Sequence, residues 1–139
     1  MIPIYRPGFP GNNQMAITNV TSSEFEGLIA KGGITFVDFW AAWCGPCRAF
    51  APIFERASER FPEINFVKVD TDAEQEIAAA AKISAIPTLM AFRDGILVYR
   101  QPGAVPQAAF EELIQAVKNL DMDALRSEIA KEEGRPDAE

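Results

Sequence analysis

The stretch "ITFVDFW", Ile34 to Trp40, sets the first limit on how this chain can fold. It is a near-continuous apolar run, rich in β-branched and aromatic residues and preceded by Gly32 and Gly33. A run of this length and composition reads as a strand covered on both faces, hence a central strand of a sheet. What flanks it alternates in type. Met15 to Val20 is a candidate edge strand. Thr21 stands three residues ahead of Glu24, as in a capping box, with Phe25, Leu28 and Ile29 at helical spacing and the two glycines as a stop.

After the central run, Cys44 to Arg60 is helical by pattern. Pro46 stands where a first-turn proline is tolerated, and Phe50, Ile53, Phe54 and Ala57 form one apolar face. Pro52 lies inside that helix and predicts a bent axis. "INFVKVD", Ile64 to Asp70, is a further strand, and an alanine-rich helix follows around Asp72 to Ala81. This β-α-β-α order predicts parallel neighbours joined by right-handed crossovers. The order then breaks: "TLMAFRDGILVYR" places Asp94-Gly95 between two strand-like runs, the signature of an antiparallel hairpin. Pro106 opens a last core helix carrying Phe110, Leu113, Ile114, Val117 and Leu120 on one stripe. Three units result: a leader at 1–14, rich in Pro, Gly and Asn and read as flexible, with Met15 a candidate start of its own; a folded domain at 15–120; and a charged extension at 121–139. Met122, Leu125 and Ile129 keep that extension helical to about residue 133, before a frayed tail.

Composition narrows the function. Asp and Glu outnumber Lys and Arg by 20 to 13, a formal charge of −7, which disfavours a phosphate backbone as partner. No apolar run approaches a bilayer span, and the leader holds no signal-type apolar stretch. Histidine is absent, so neither a Cys-His nucleophile nor a His-ligated metal is available within the chain.

The two cysteines, Cys44 and Cys47, are the chemical signal. As a staple they are poor, because so short a loop removes little entropy from the unfolded chain. As a zinc site they fall short of the usual set of about four ligands. At the start of a helix, two thiols in C-x-x-C spacing can close on each other, and a cytoplasmic redox role fits them best. The helix N-terminus favours the anion of Cys44, which makes Cys44 the attacking and Cys47 the resolving residue. Gly45 and Pro46 are expected to expose the pair.

"WCGPC" after the buried strand "VDFWA", with "IPT" further on, resembles the thioredoxin family across residues 15–120. The resemblance implies an α/β thioredoxin fold: a central mixed five-stranded sheet flanked by four helices, to which the C-terminal helix is an addition. It also implies roles. Asp38, whose pKa burial should raise, would help deprotonate Cys47; the other reading is a strand-end carboxylate satisfied by a hydroxyl or by Lys68. Lys68 resembles the family lysine near that aspartate, or is a solvated strand position. Pro87 would be cis, where sequence alone favours trans, and the backbone of Ile86 would pair with an extended substrate. Trp43, Gly45, Pro46, Gly103 and Ala104 would complete a shallow apolar groove. Trp43 could instead be core, although Trp40 suits the core better, and Gly103 could be a simple turn residue.

The activity so implied is thiol-disulfide exchange. The dithiol reduces disulfides of client proteins, and a flavoprotein thioredoxin reductase drawing on NADPH restores it. No bound cofactor or metal is needed, nor a membrane or nucleic acid, and the unit is a cytoplasmic monomer in electron transport and redox homeostasis. Gly-Pro between the cysteines resembles the reducing members of the family. The alternative is a non-catalytic adaptor that uses the same groove only to bind.

Overall fold

The computed structural model describes residues 16–134. Its elements, in chain order, are β1 (Ile17–Asn19), α1 (Ser22–Ala30), β2 (Ile34–Trp40), α2 (Gly45–Arg60) and β3 (Asn65–Asp70), then α3 (Gln75–Ala80), β4 (Thr88–Arg93), β5 (Ile96–Pro102), α4 (Gln107–Lys118) and α5 (Met122–Glu132). The strands form one mixed sheet in the order β1-β3-β2-β4-β5. β1 and β2 run parallel to β3, whereas β4 is antiparallel to both β2 and β5. The "ITFVDFW" run is therefore the middle strand, and Met15–Val20 contributes a short edge strand as expected, with Met15 itself outside the described residues.

Strand alternation sends successive β2 side chains to opposite layers. Phe36 joins Phe50 and Phe54 of α2, Phe66 of β3 and Phe110 and Ile114 of α4 in one buried cluster. Val37 and Phe39 pack with Phe25 of α1, Val67, Val69 and Met90, with Ile77 of α3 at the margin. Two helices thus cover each face. In the first layer Phe110 makes edge contacts with Phe36 at 5.5 Å and Phe50 at 5.4 Å, and stacks on Phe54 at 5.9 Å. Such pairs contribute about 0.5–1.5 kcal/mol each beyond area burial.

Local chemistry explains where the elements stop. Asp94 and Gly95 both have positive φ, 54° and 84°, the pairing a two-residue hairpin turn demands. The Asp94 N–H donates to the Gly33 carbonyl at 2.8 Å and its Oδ1 accepts from the Gly33 N–H at 3.2 Å. α2 runs unbroken through Pro52. α3 is shorter than the expected 72–81: Oδ1 of Asp70 takes the N–H groups of Asp72 at 2.9 Å and Ala73 at 3.3 Å, holding a turn where a helix would start. Pro106 is the N-cap of α4 and not its first helical residue, and α4 ends at Lys118, leaving Leu120 beyond it. There Nη1 of Arg93 donates to the carbonyls of Val117, Lys118 and Leu120, at 2.9, 3.1 and 3.0 Å, satisfying helix-end acceptors. α5 follows, capped by Asp121, whose Oδ1 accepts from the Ala124 N–H at 3.0 Å. The readings for residues 1–14 and for the tail past residue 134 lie outside the described residues. Among those described, no helix is long and apolar enough to cross a membrane.

Candidate active site

β2 delivers the site. Its C-terminal end feeds Ala41 to Trp43 directly into Cys44, the N-cap of α2, which has extended backbone angles of φ −93° and ψ 113°. Its sulfur takes the role usually played by a Ser or Asp oxygen, accepting the Cys47 N–H at 3.2 Å. Cys44 and Cys47 are joined as a disulfide, their Cα atoms 5.3 Å apart. A sulfur here meets an aimed amide and the positive end of a sixteen-residue helix, both of which favour negative charge.

The expectation that Gly45 and Pro46 expose the thiols is corrected. Both of those residues are exposed, yet Cys44 is only 4% and Cys47 only 2% accessible. The cover comes from Trp40, Ala41 and Ile86, which pack on the pair. Ile86 belongs to a distant loop: its carbonyl oxygen lies 3.7 Å from the Cys44 sulfur, and the Ile86–Pro87 bond is cis. The Pro87 carbonyl accepts the Gly103 N–H at 2.8 Å, which brings Gly103 and Ala104 beside that loop. Gly103 has φ +102°, a conformation that only glycine adopts without strain.

Trp40 and Trp43 divide as the sequence suggested. Trp40 is half-buried against the cysteines, whereas Trp43 is 68% exposed and donates its Nε1–H to Oδ2 of Asp72 at 2.8 Å. Trp43 and Ile86 line an open groove of about 580 Å³. The opposite wall is Gln75, Ala78 and Ala79 of α3 with Ile83 and Ser84 after it. Gly45, Pro46, Gly103 and Ala104 are exposed but do not line this groove, and Pro87 is buried. The α3 wall and Asp72 were missed in the sequence; the available signal was "IAAAAKISAIP", a run of small residues leading into Ile86-Pro87. A second cavity of about 600 Å³ between α1 and α3 is floored by Phe25, Ile77 and Phe92, and no thiol lines it.

Asp38 lies on β2, the strand that leads into the pair. It is fully buried on the β2 face that also carries Phe36 and Trp40, opposite Lys68 on one side and Leu89 on the other. Neither carboxylate oxygen has a hydrogen-bond partner among the described residues, so the hydroxyl-satisfied or Lys68-satisfied alternative is not what the structure has. Burial pushes its pKa from 3.8 up to about 7, against a smaller downward pull from the Lys68 charge. The half-buried Lys68 instead sets its Nζ 4.6 Å from the centre of the Trp40 ring. The Trp40 Nε1 is likewise buried and, among the described residues, unpartnered. Among the described residues no three His, Cys, Asp or Glu side chains gather as a metal-binding group.

The geometry has counterparts of known kind. The thioredoxin family model matches residues 16–116. A putative thioredoxin 2 of Streptomyces coelicolor is 42% identical over 116 residues, which span 84% of this chain and 87% of that protein. Thioredoxin-1 of Saccharomyces cerevisiae is 43% identical over 96 residues, 69% of this chain and 92% of that one. The crystal structure of oxidised mitochondrial thioredoxin 3 from S. cerevisiae superposes with a TM-score of 0.66 at 34% identity, covering 78% of this chain and 99% of that chain. With a sulfur-capped helix carrying the closed C-G-P-C pair at the end of the middle strand, this chain belongs to the thioredoxin family and is a thiol-disulfide oxidoreductase, a protein-disulfide reductase.

Proposed function

We propose that the dithiol form reduces disulfides of client proteins, with Cys44 as nucleophile and Cys47 as resolving thiol. The observation that carries this assignment is the Cys47 N–H aimed at the Cys44 sulfur at 3.2 Å, because among the described residues the N-cap sulfur, and not that of Cys47, receives such an amide. The client lies in the groove of Trp43 and Ile86, its backbone beside the Ile86 carbonyl, with Gly45, Pro46, Pro87, Gly103 and Ala104 around the approach. The Cys44 thiolate attacks one client sulfur; a Cys44–client bond forms, the client S–S bond breaks, and the departing client thiolate takes a proton from solvent. Asp38, ionised in part near neutral pH, accepts the Cys47 proton, with Lys68 favouring the carboxylate form. Cys47 then attacks the Cys44 sulfur and releases the second client thiolate, which is protonated in turn. Two electrons have passed to the client, and the pair is left as the disulfide described here.

A cytoplasmic setting suits a dithiol that must be returned to the reduced state. An NADPH-dependent flavoprotein reductase is the proposed electron donor. The catalytic unit is residues 15–120 of a single chain, and 121–139 is an extension. Insulin-disulfide reduction tests the assignment. Cys44→Ser is expected to abolish turnover, while Cys47→Ser still attacks and stalls as a mixed disulfide visible on a non-reducing gel. Undiminished turnover by Cys44→Ser refutes the mechanism. A wild-type protein that binds clients but never reduces them leaves the adaptor reading in its place.

A further inference from the structure

The exchange reaction uses one side of α3. Gln75, Ala78 and Ala79 face the client groove, whereas Glu76, Ile77 and Ala80 face the cavity of about 600 Å³ between α3 and α1. That cavity is continuous with another of about 480 Å³ that opens toward β5, because Phe25, Ile77, Ala80 and Phe92 line both. Together they form one apolar trough. Leu97, at its β5 end, is 44% exposed, and among the described residues Trp43 is the one other large apolar side chain left exposed. Trp43 serves the client groove; Leu97 has no part in it. An exposed apolar patch with a charged rim marks a surface that binds something.

The charges on the rim are sorted by sign. Glu26 of α1 and Glu76 of α3 line only the first cavity, and Lys82 and Arg100 line only the second. Arg100 is fixed at its end, since Nη1 donates to the Ala81 carbonyl at 2.7 Å and Nη2 to the Lys82 carbonyl at 2.8 Å. The apolar floor thus runs from an acidic end to a basic end. Such a surface is complementary to itself: a two-fold axis through its middle lays the acidic end of one copy on the basic end of the other, and floor on floor. We propose that a second copy of this chain covers the trough, forming an isologous dimer.

The leader at 1–14 is a poorer occupant, because its one charged residue, Arg6, answers only the acidic end. The formal charge of −7 on each chain opposes the approach of two copies, and exposed ion pairs add little affinity. The rim charges therefore set the register, the apolar floor and Leu97 supply the attraction, and the association is weak. Each copy keeps its own catalytic unit. The client groove lies on the other side of α3, and none of Glu26, Lys82 and Leu97 lines it.

The test is sedimentation equilibrium of the disulfide form from about 10 μM to about 1 mM chain, with insulin reduction, expected to be unchanged, as the check that each variant has folded. Wild type is expected to pass from monomer to dimer over this range. Leu97→Glu is expected to raise the dissociation constant about tenfold or more. Glu26→Lys and Lys82→Glu, each alone, are expected to raise it about fivefold, since each sets like charges opposite one another at both ends. Mixing those two variants is expected to restore wild-type affinity, because the reversed positions then meet with opposite signs. The mixture carries the same total charge as two wild-type chains, so overall repulsion does not account for the recovery. A wild-type chain still monomeric at the top of the range overturns the inference, as does a dimer undiminished in Leu97→Glu or a mixture no tighter than its components. A monomer in which deleting residues 1–14 shifts the Ile77 and Leu97 methyl resonances assigns the trough to the leader instead.

Discussion

Replacing Asp38 by asparagine turns its unpaired burial into a measurable stability difference. Below pH 3.8 the carboxyl is neutral in both folded and unfolded chains. Between pH 3.8 and about 7 the folded chain holds a proton that the unfolded chain has lost, so stability falls as pH rises, by about 1.4 kcal/mol per unit. The stability present below pH 3.8 is lost in full once pH passes the folded value near 7. Over that span of 7 − 3.8 = 3.2 units the loss is about 4 kcal/mol. An asparagine side chain is neutral, has the same shape and carries no such dependence, so Asp38→Asn is expected to match wild type near pH 4 and to exceed it by about 4 kcal/mol at pH 8. Urea unfolding of the disulfide form, in which neither cysteine titrates, is the assay. With a slope of about 2 kcal/mol per molar, the midpoint gain at alkaline pH is about 2 M. Wild-type and variant midpoints that stay parallel from pH 4 to 8 would refute the reasoning, since Asp38 would then ionise in the fold as freely as in the open chain.

Gly103→Val forces a β-branched side chain into φ +102° and disturbs the bond to Pro87, so a loss of about 1–3 kcal/mol in urea stability is expected, together with slower insulin reduction. Trp43→Ala removes an exposed groove wall whose indole is tied to Asp72. Stability should change by no more than about 0.5 kcal/mol, whereas kcat/KM for insulin should fall about five- to thirtyfold, mostly through KM.

The inner strands β2, β3 and β4 were legible because burial on both faces leaves a largely apolar run, and the hairpin because Asp94-Gly95 has few conformations open to it. Cys44 and Cys47 were legible because their chemistry depends on spacing within four residues. Their cover was not. It depends on Ile86, which is 42 residues from Cys44 and which only the sheet brings near. The α3 wall of the groove was hidden for a different reason: Ala78 and Ala79 make room by having little side chain, and a lack of atoms leaves no periodic mark. The helix start was misplaced because residues 71–73 close a turn on Asp70, whose carbonyl accepts the Glu74 N–H at 2.8 Å, before α3 begins at Gln75.

Cys47 and Phe50 lie one turn apart on the inner side of α2, and Phe50 is wedged between Phe54 and Phe110. The reactive end of α2 is thereby held through its own next turn and through α4. With that packing in place, making and breaking one sulfur–sulfur bond is expected to move atoms mainly at the tip, so that a partner sensing the redox state would be expected to touch that tip.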